Sequence, residues 1–191
     1  MAVSERITGR HVTLRPATSA DRDAVYAWLA DSDVTAAMFG PPDERRAAVP
    51  SRAEHDADYA DHFFDDSRLE RGRSFLIEVD GVAVGHVSYD RLDELDGVAE
   101  LDIWMRDRAS CGQGWGPDAL DALARHLGER RGARACLLRP SPLNPRAVAA
   151  YERAGFRRLD LSPAEHEARF GPPDEPGCPI LWRDLGPGGT P

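Results

Sequence analysis

A glycine-rich loop, Cys111-Gly112-Gln113-Gly114-Trp115-Gly116, joins a strand-like segment to a helix-like segment in the middle of the chain. The segment before it, Val98–Met105, alternates apolar and polar residues, and the segment that starts at Pro117 carries leucines at helical spacing. A glycine-rich turn at a helix N-terminus presents unpaired backbone N–H groups and the positive end of the helix dipole. Such a turn binds phosphate, so the sequence predicts a strand–loop–helix unit with an anion site.

Seven segments have strand character and four have helix character, in the order β-α-α-β-β-β-α-β-α-β-β. The predicted strands are residues 11–16, 74–79, 82–89, 98–105, 134–139, 156–161 and 178–185, and the predicted helices are 20–33, 51–66, 117–131 and 144–155. Asp80-Gly81 predicts a tight hairpin, and residues 98–139 predict a parallel strand–helix–strand crossover. The predicted fold is an α/β (α+β) domain with a mixed, mostly antiparallel sheet of six or seven strands and helices on both faces.

The length and the charge of the chain restrict its organisation and its partners. The 191 residues indicate a single domain over residues 1–185, followed by a disordered tail over 186–191. The net charge of −9 argues against a nucleic-acid partner, and the chain has no apolar run long enough to span a membrane. The N-terminus lacks an apolar signal region, and three cysteines without metal-ligand spacing fit a reduced compartment. We therefore expect a cytoplasmic protein with neither metal nor membrane nor nucleic-acid partner.

Three polar residues are candidates for proton transfer. Glu100 and Asp102 lie on one face of the predicted strand 98–105, about 7 Å apart by strand geometry. A carboxylate beside the phosphate-type loop could take a proton from an amine, although a solvated strand face explains the same pattern. Tyr151 lies near the end of the predicted helix 144–155, where its hydroxyl could protonate a leaving group or be a satisfied core group.

Two motifs in the right order resemble the GNAT superfamily of acyl-coenzyme A-dependent N-acetyltransferases. The family's pyrophosphate loop reads Arg/Gln-x-x-Gly-x-Gly/Ala; Gly114 and Gly116 match it, and Cys111 stands where Arg or Gln is usual. The second motif is the proline-capped helix from Asn144 to the Gly-Phe pair that ends at Phe156. The resemblance covers residues 11–160 and implies the GNAT fold, with a V-shaped gap between predicted strands four (98–105) and five (134–139).

The resemblance also implies an acetyl-CoA-dependent N-acetyltransferase that acts by direct attack of a primary amine in a ternary complex. Asp102 would be the base, with Glu100 as the second candidate, and Tyr151 would be the general acid. The cofactor would lie in the V-shaped gap without any metal. Its binding residues would be Ile103, Trp104, Met105, Cys111, Gly112, Gln113, Gly114, Trp115, Gly116, Asn144 and Arg146.

Within the superfamily, the nearest likeness is to the aminoglycoside 6′-N-acetyltransferases, which makes antibiotic resistance one reading of the function. Those enzymes have the motif Asp-Pro-Ser-Pro-x-Asn, which this chain repeats over residues 139–144 except that Arg139 replaces the first aspartate. A cation at that position would repel a polycationic drug. The start of the chain looks more like the general GNAT start shared with ribosomal-protein N-terminal acetylases. The acceptor is therefore a small amine or a protein or peptide N-terminus. The alternatives are an acyl-CoA sensor without turnover and an acyltransferase for longer acyl groups.

The predicted acceptor pocket draws on residues 20–33, 39–50 and 51–66. The third segment carries several acidic residues that either attract a cationic amine or form a solvated helix face: Asp56, Asp58, Asp61, Asp65 and Asp66. The sequence is compatible with either a monomer or a homodimer.

Overall fold

The computed structural model of the chain describes residues 5–40, 49–171 and 177–186. The described strands are β1 (Ile7–Thr8), β2 (Thr13–Pro16), β3 (Arg73–Val79), β4 (Val82–Asp90), β5 (Val98–Met105), β6 (Ala135–Leu138), β7 (Arg157–Leu159) and β8 (Ile180–Asp184). The described helices are α1 (Arg22–Ala30), α2 (Thr35–Phe39), α3 (Arg52–Asp58), α4 (Trp115–Arg131), α5 (Pro145–Arg153) and α6 (Pro163–Phe170). Residues 187–191 of the predicted tail, and residues 41–48 of the loop expected at the acceptor pocket, lie outside the described residues.

The strands form one mixed sheet in the order β1-β2-β3-β4-β5-β6-β8-β7. All neighbours pair antiparallel except β5 and β6, which are parallel, as the sequence predicts. The hairpin between β3 and β4 turns at Asp80 and Gly81, both with positive φ (49° and 77°), as a type I′ turn requires. The eighth strand is β1, whose two residues are too few to show a periodic pattern.

The parallel strands β5 and β6 separate part of the way along β5. Pairing joins Val98, Ala99 and Glu100 to residues 135–137, and the described residues show no further pairing between the two strands. β5 nevertheless continues to Met105 while it remains paired to β4. The predicted V-shaped gap between these strands is thereby confirmed, and it leaves one edge of β5 open.

Both faces of the sheet are covered, which confirms the predicted helices on both faces, although Asp102 on the outer face of β5 is exposed. One face packs on α4 through the larger core cluster, whose members include Leu120, Leu123 and Leu127. The other face carries Trp104, which is only 3% exposed, in a cluster with residues of α1. The Trp104 indole Nε1 donates to the backbone oxygen of Val25, 3.1 Å away. The covering helix turns an apparently polar face into a second core.

The helices start and end at points that differ from the predicted bounds. The predicted helix 51–66 ends at Asp58, and a short 3-10 turn, Asp61–Phe64, follows it. Tyr59 leaves the helical conformation (φ −98°, ψ 63°), so its ring turns back toward the sheet. α4 begins at Trp115 rather than at Pro117, while α2 and α6 are additional helices. No helix within the described residues is long and apolar enough to cross a membrane.

Candidate active site

A cavity of about 310 Å³ occupies the gap between the open edge of β5, the glycine-rich loop and α5. α5 lies against it because Asn144 caps the helix, its side chain accepting the N–H of Ala147 at 3.1 Å, and Pro145 follows the cap. Nine of the predicted cofactor residues line this cavity: Ile103, Trp104, Met105, Cys111, Gly112, Gly114, Gly116, Asn144 and Arg146.

The glycine-rich loop ends in a left-handed residue that opens α4. Gly114 is the N-cap at φ 85°, a conformation that L side chains rarely adopt, and a Cβ built there would meet nothing within 4 Å. The space beside the first N–H groups of α4 is therefore open toward the cavity. Those groups, at Trp115 and Gly116, have no partner one turn earlier in the helix. The loop can thus offer backbone donors and a positive dipole end to an anion.

Three side chains of the loop lack the features of a catalytic group, namely those of Cys111, Gln113 and Trp115. Gln113 and Trp115 do not line the cavity: the Gln113 amide donates to the backbone oxygen of Ala109 at 3.4 Å, and Trp115 packs against the core. Only their backbone groups are left for a ligand. Cys111 does line the cavity, but burial raises the pKa of its thiol, and Sγ lies 3.5 Å from the backbone oxygen of Asp107. A raised thiol pKa opposes a nucleophilic role.

Three arginines line the same cavity on its outer side. Arg108, Arg146 and Arg153 are exposed, and none of them forms an ion pair within the described part of the chain. Only Arg146 is among the predicted residues. Arg153 follows it by seven positions, a spacing that places both on one helix face and that would have identified it. The three guanidinium groups concentrate positive charge at the cavity of an otherwise acidic protein.

A second cavity of about 220 Å³ adjoins the first. The two cavities share part of their lining: Met38, Ile103, Trp104, Asn144, Ala147 and Tyr151. The second cavity is otherwise mostly apolar, with Leu29, Phe39, Leu101 and Leu138 in its wall, and its charged lining residues are Asp102 and Arg139. A reaction between a ligand in each cavity would take place beside Asp102 and Tyr151.

Asp102 lies on β5 opposite Ser88 of β4. Its carboxylate oxygen Oδ2 accepts the hydroxyl of Tyr59 at 2.9 Å, and Oδ1 accepts the N–H of Ile103 at 2.8 Å. Both of these partners donate, which suits an ionised carboxylate because that group only accepts hydrogen bonds. Asp102 is thus held at the second cavity by donors on both of its carboxylate oxygens.

Tyr151 lies between the two cavities and lines both. Its ring packs against the larger core cluster, whereas its hydroxyl has no hydrogen-bond partner in the described residues. Burial, and secondarily the charge of Asp102, raise the pKa of Tyr151 above its usual range. The hydroxyl therefore keeps its proton and can donate it into the cavity.

Glu100, the second predicted base, is held away from both cavities. Its Oε1 accepts from Nε of Arg139 at 2.6 Å and its Oε2 accepts from Nη1 of Arg91 at 3.2 Å. Both carboxylate oxygens are occupied by cations, which favours Asp102 as the base. The same pairing balances the charge of Arg139 and weakens the argument that Arg139 repels a cationic acceptor.

Most of the acidic residues over 51–66 also have cationic neighbours. Ion pairs connect Asp56 to Arg52 (2.8 Å), Asp61 to Arg22 (2.7 Å) and Asp66 to Arg73 (3.1 Å). Asp65 accepts the backbone N–H of Ser67 at 2.8 Å. Asp58, which is exposed at the end of α3, forms no ion pair within the described residues. This segment therefore presents little unbalanced negative charge to a ligand. The described residues contain no group of three or more His, Cys, Asp or Glu side chains that could hold a metal ion.

Comparisons with known proteins agree with this geometry. Residues 11–157 match the family model described as the acetyltransferase (GNAT) domain. A solved aminoglycoside acetyltransferase, AAC(6')-Ib with coenzyme A and kanamycin, is 20% identical over 91% of this chain and 94% of its own, with a TM-score of 0.66. A ribosomal alpha-N-protein acetyltransferase with coenzyme A is 18% identical over 95% of this chain and 98% of its own, with a TM-score of 0.68. The spermidine N-acetyltransferase of Vibrio cholerae with coenzyme A and spermine is 18% identical over 92% of this chain and 96% of its own, with a TM-score of 0.66.

Proposed function

Because this chain belongs to the GNAT acetyltransferase family, we propose that it transfers an acetyl group from acetyl-CoA to a primary amine in a ternary complex. The observation that carries the proposal is the junction of two cavities at Tyr151 and Asp102. One cavity has the anion-binding loop and the arginines that a coenzyme needs. The other has a carboxylate in a mostly apolar wall, which suits an amine.

The larger cavity supplies the contacts for the coenzyme. The first N–H groups of α4 bind the pyrophosphate, and the guanidinium groups of Arg108, Arg146 and Arg153 attract the adenosine phosphates. The open edge of β5 offers backbone groups at Ile103 and Met105 to the amide-containing arm, as an added strand would use them. These contacts orient the thioester toward Tyr151.

Asp102 and Tyr151 move the protons of the reaction. Asp102 accepts a proton from the amine, directly or through water, so that the nitrogen lone pair attacks the thioester carbonyl. The new C–N bond forms as the C–S bond breaks. Tyr151 donates its proton to the departing sulfur, and its raised pKa means that the hydroxyl is protonated before the transfer. The remaining acceleration comes from holding the two substrates in a reactive orientation.

The acceptor is a small, aminoglycoside-like amine or a protein or peptide N-terminus. The similar structures are acetyltransferases of an aminoglycoside, of a ribosomal protein and of spermidine. The ion pair of Arg139 with Glu100 removes one objection to a cationic acceptor. The cytoplasmic location and the choice between monomer and homodimer stay predictions.

Two alternatives use the same cavities. A sensor would bind acyl-CoA without turnover, and an acyltransferase for longer acyl groups would extend the thioester end into the second cavity. The unpartnered hydroxyl of Tyr151 favours an enzyme over a sensor, because a buried donor aimed into a cavity has no evident use in binding alone. Comparing the rate of thiol release from acetyl-CoA with that from longer acyl-CoA donors separates an acetyltransferase from an acyltransferase for longer acyl groups.

The test is thiol release from acetyl-CoA in the presence of aminoglycosides, polyamines, amino acids and short peptides. We expect release with one class of amine, with Asp102→Asn abolishing turnover and leaving acetyl-CoA affinity unchanged. Asp93→Asn, at an exposed position in the turn between β4 and β5, is the matched control and should keep full activity. Acetyl-CoA binding without release by any amine would support the sensor.

A further inference from the structure

Aromatic rings fill the space between α3 and the sheet and surround Tyr59. Its ring stacks on His55 at 4.9 Å between centroids and lies 5.0 Å from Phe63, 5.6 Å from His86 and 5.7 Å from Trp104. Rings on several sides leave the phenol little room to rotate. Tyr59 is thus fixed by packing before its hydroxyl makes any contact.

The backbone of Tyr59 is fixed as well. Its N–H donates to the backbone oxygen of His55 at 2.8 Å, and its own backbone oxygen accepts from Nη1 of Arg22 at 3.0 Å. The 2.9 Å bond from its hydroxyl to Oδ2 of Asp102 joins positions 43 residues apart in the chain. The hydroxyl of Ser88 lies 3.5 Å away on the other side. A rigid phenol is therefore aimed at the carboxylate.

We propose that Tyr59 is the positioning residue of Asp102, and that its hydrogen bond to Oδ2 fixes the orientation of the carboxylate beside the second cavity. This inference rests on the proposed role of Asp102 as base. Asp102 is exposed on β5, and an untethered carboxylate there would sample several rotamers. Orientation of a base by a second group is a recurrent device, since a small misplacement of a reacting group lowers the rate strongly.

The protonation state of Tyr59 suits this role. Burial, and secondarily the charge of Asp102, raise the pKa of Tyr59 well above its usual value. The phenol therefore stays protonated and donates throughout the pH range in which an amine is acetylated. Because it also keeps its proton when Asp102 is charged, Tyr59 orients the carboxylate without competing with it for the proton of the substrate.

The first experiment is independent of activity. We expect Tyr59→Phe to lower the urea unfolding midpoint in the native background and to lower it by less than half as much in an Asp102→Ala background. Such coupling is the signature of two groups in contact. Tyr89→Phe is the matched control, because Tyr89 lines neither cavity and its buried hydroxyl donates to the backbone oxygen of Leu69 at 2.6 Å, so its loss should be equal in the two backgrounds. Equal losses from Tyr59→Phe in the two backgrounds would overturn the inference.

The second experiment measures thiol release. Tyr59→Phe should lower kcat about tenfold, the size expected for a lost hydrogen bond to a charged group, with an unchanged KM for acetyl-CoA. It should have no further effect when Asp102 is already alanine, and Tyr89→Phe should keep the native kcat. An unchanged kcat, or an additive loss in the double variant, refutes positioning. If no amine releases thiol, the proposed function fails, while the unfolding comparison still decides whether Tyr59 holds Asp102.

Discussion

Burial of His86 links the stability of the fold to pH. The ring is fully buried; Nε2 lies 3.0 Å from Oγ of Ser74, and Nδ1 has no hydrogen-bond partner among the described residues. Burial, with a smaller effect of His55, lowers the pKa of His86 from 6.5 to about 3. A protonated imidazolium would be enclosed here beside Trp104, at 4.1 Å between ring centroids.

The sign of the effect follows from proton linkage. Below pH 6.5 the unfolded chain protonates His86 while the folded chain keeps it neutral. The free energy of unfolding therefore decreases as the pH is lowered from 6.5 to about 3. At pH 5 the difference of 1.5 pH units from the unfolded value corresponds to about 2 kcal/mol, at 1.36 kcal/mol per unit. With a urea dependence of about 2–3 kcal/mol per molar, the unfolding midpoint should drop by about 0.7–1 M between pH 7.5 and pH 5.

The assay compares urea unfolding at the two pH values for the native chain and for His86→Gln. Gln keeps a hydrogen-bonding group and removes the titration, so we expect the pH-dependent drop to shrink by most of that amount, even if the variant is less stable at both pH values. Burial also lowers the pKa of His55, whose contribution has the same sign and persists in both proteins. His11→Gln, at an exposed position, should keep the full drop. An equal drop in native chain and His86→Gln would refute the reasoning.

Three further predictions concern the cofactor cavity. Replacing both Arg146 and Arg153 by Gln should weaken coenzyme A binding about tenfold at low salt and flatten the salt dependence of the affinity, as measured by titration calorimetry. Arg130→Gln, at the far end of α4, is the control and should bind coenzyme A like the native chain. Equal affinity in the native chain and in both variants would contradict the charge argument. Gly114→Ala should cost about 1–2 kcal/mol of stability because of the positive φ, and native-like unfolding would show that the loop relaxes. Tyr151→Phe should lower kcat about a hundredfold while the Kd for acetyl-CoA, measured separately, is unchanged; a weakened Kd would assign Tyr151 to binding instead.

The parts of the site that sequence reasoning located are those with a local cause. The glycine-rich loop lies between β5 and α4 because alternation, glycine and helical spacing are each visible within a few residues. Asn144 with Pro145 marked the start of α5 in the same way, since a cap and a first-turn proline act on neighbouring backbone groups. Asp102 and Tyr151 could be proposed from the sequence because they lie on β5 and α5, next to these signals.

The features that sequence reasoning missed depend on contacts between distant segments. The alternation of β5 could not show that α1 covers Trp104, since only the tertiary fold decides which face meets a helix. The ion pair of Glu100 with Arg139 spans 39 residues, and the bond between Tyr59 and Asp102 spans 43. The early end of α3, which releases Tyr59 from the helix, had no glycine or proline signal in the sequence.

The separation of β5 from β6 also bears on where the sheet exposes unpaired strand edges. An unpaired strand edge is a template on which another chain can add a strand and start aggregation. The two outer strands of this sheet are short, with two residues in β1 and three in β7. The longer unpaired edge, on β5 beyond Glu100, lies inside the sheet and borders a cavity that α5 closes on its far side. The fold thus keeps a strand edge available to a narrow ligand while it shields that edge from a second protein.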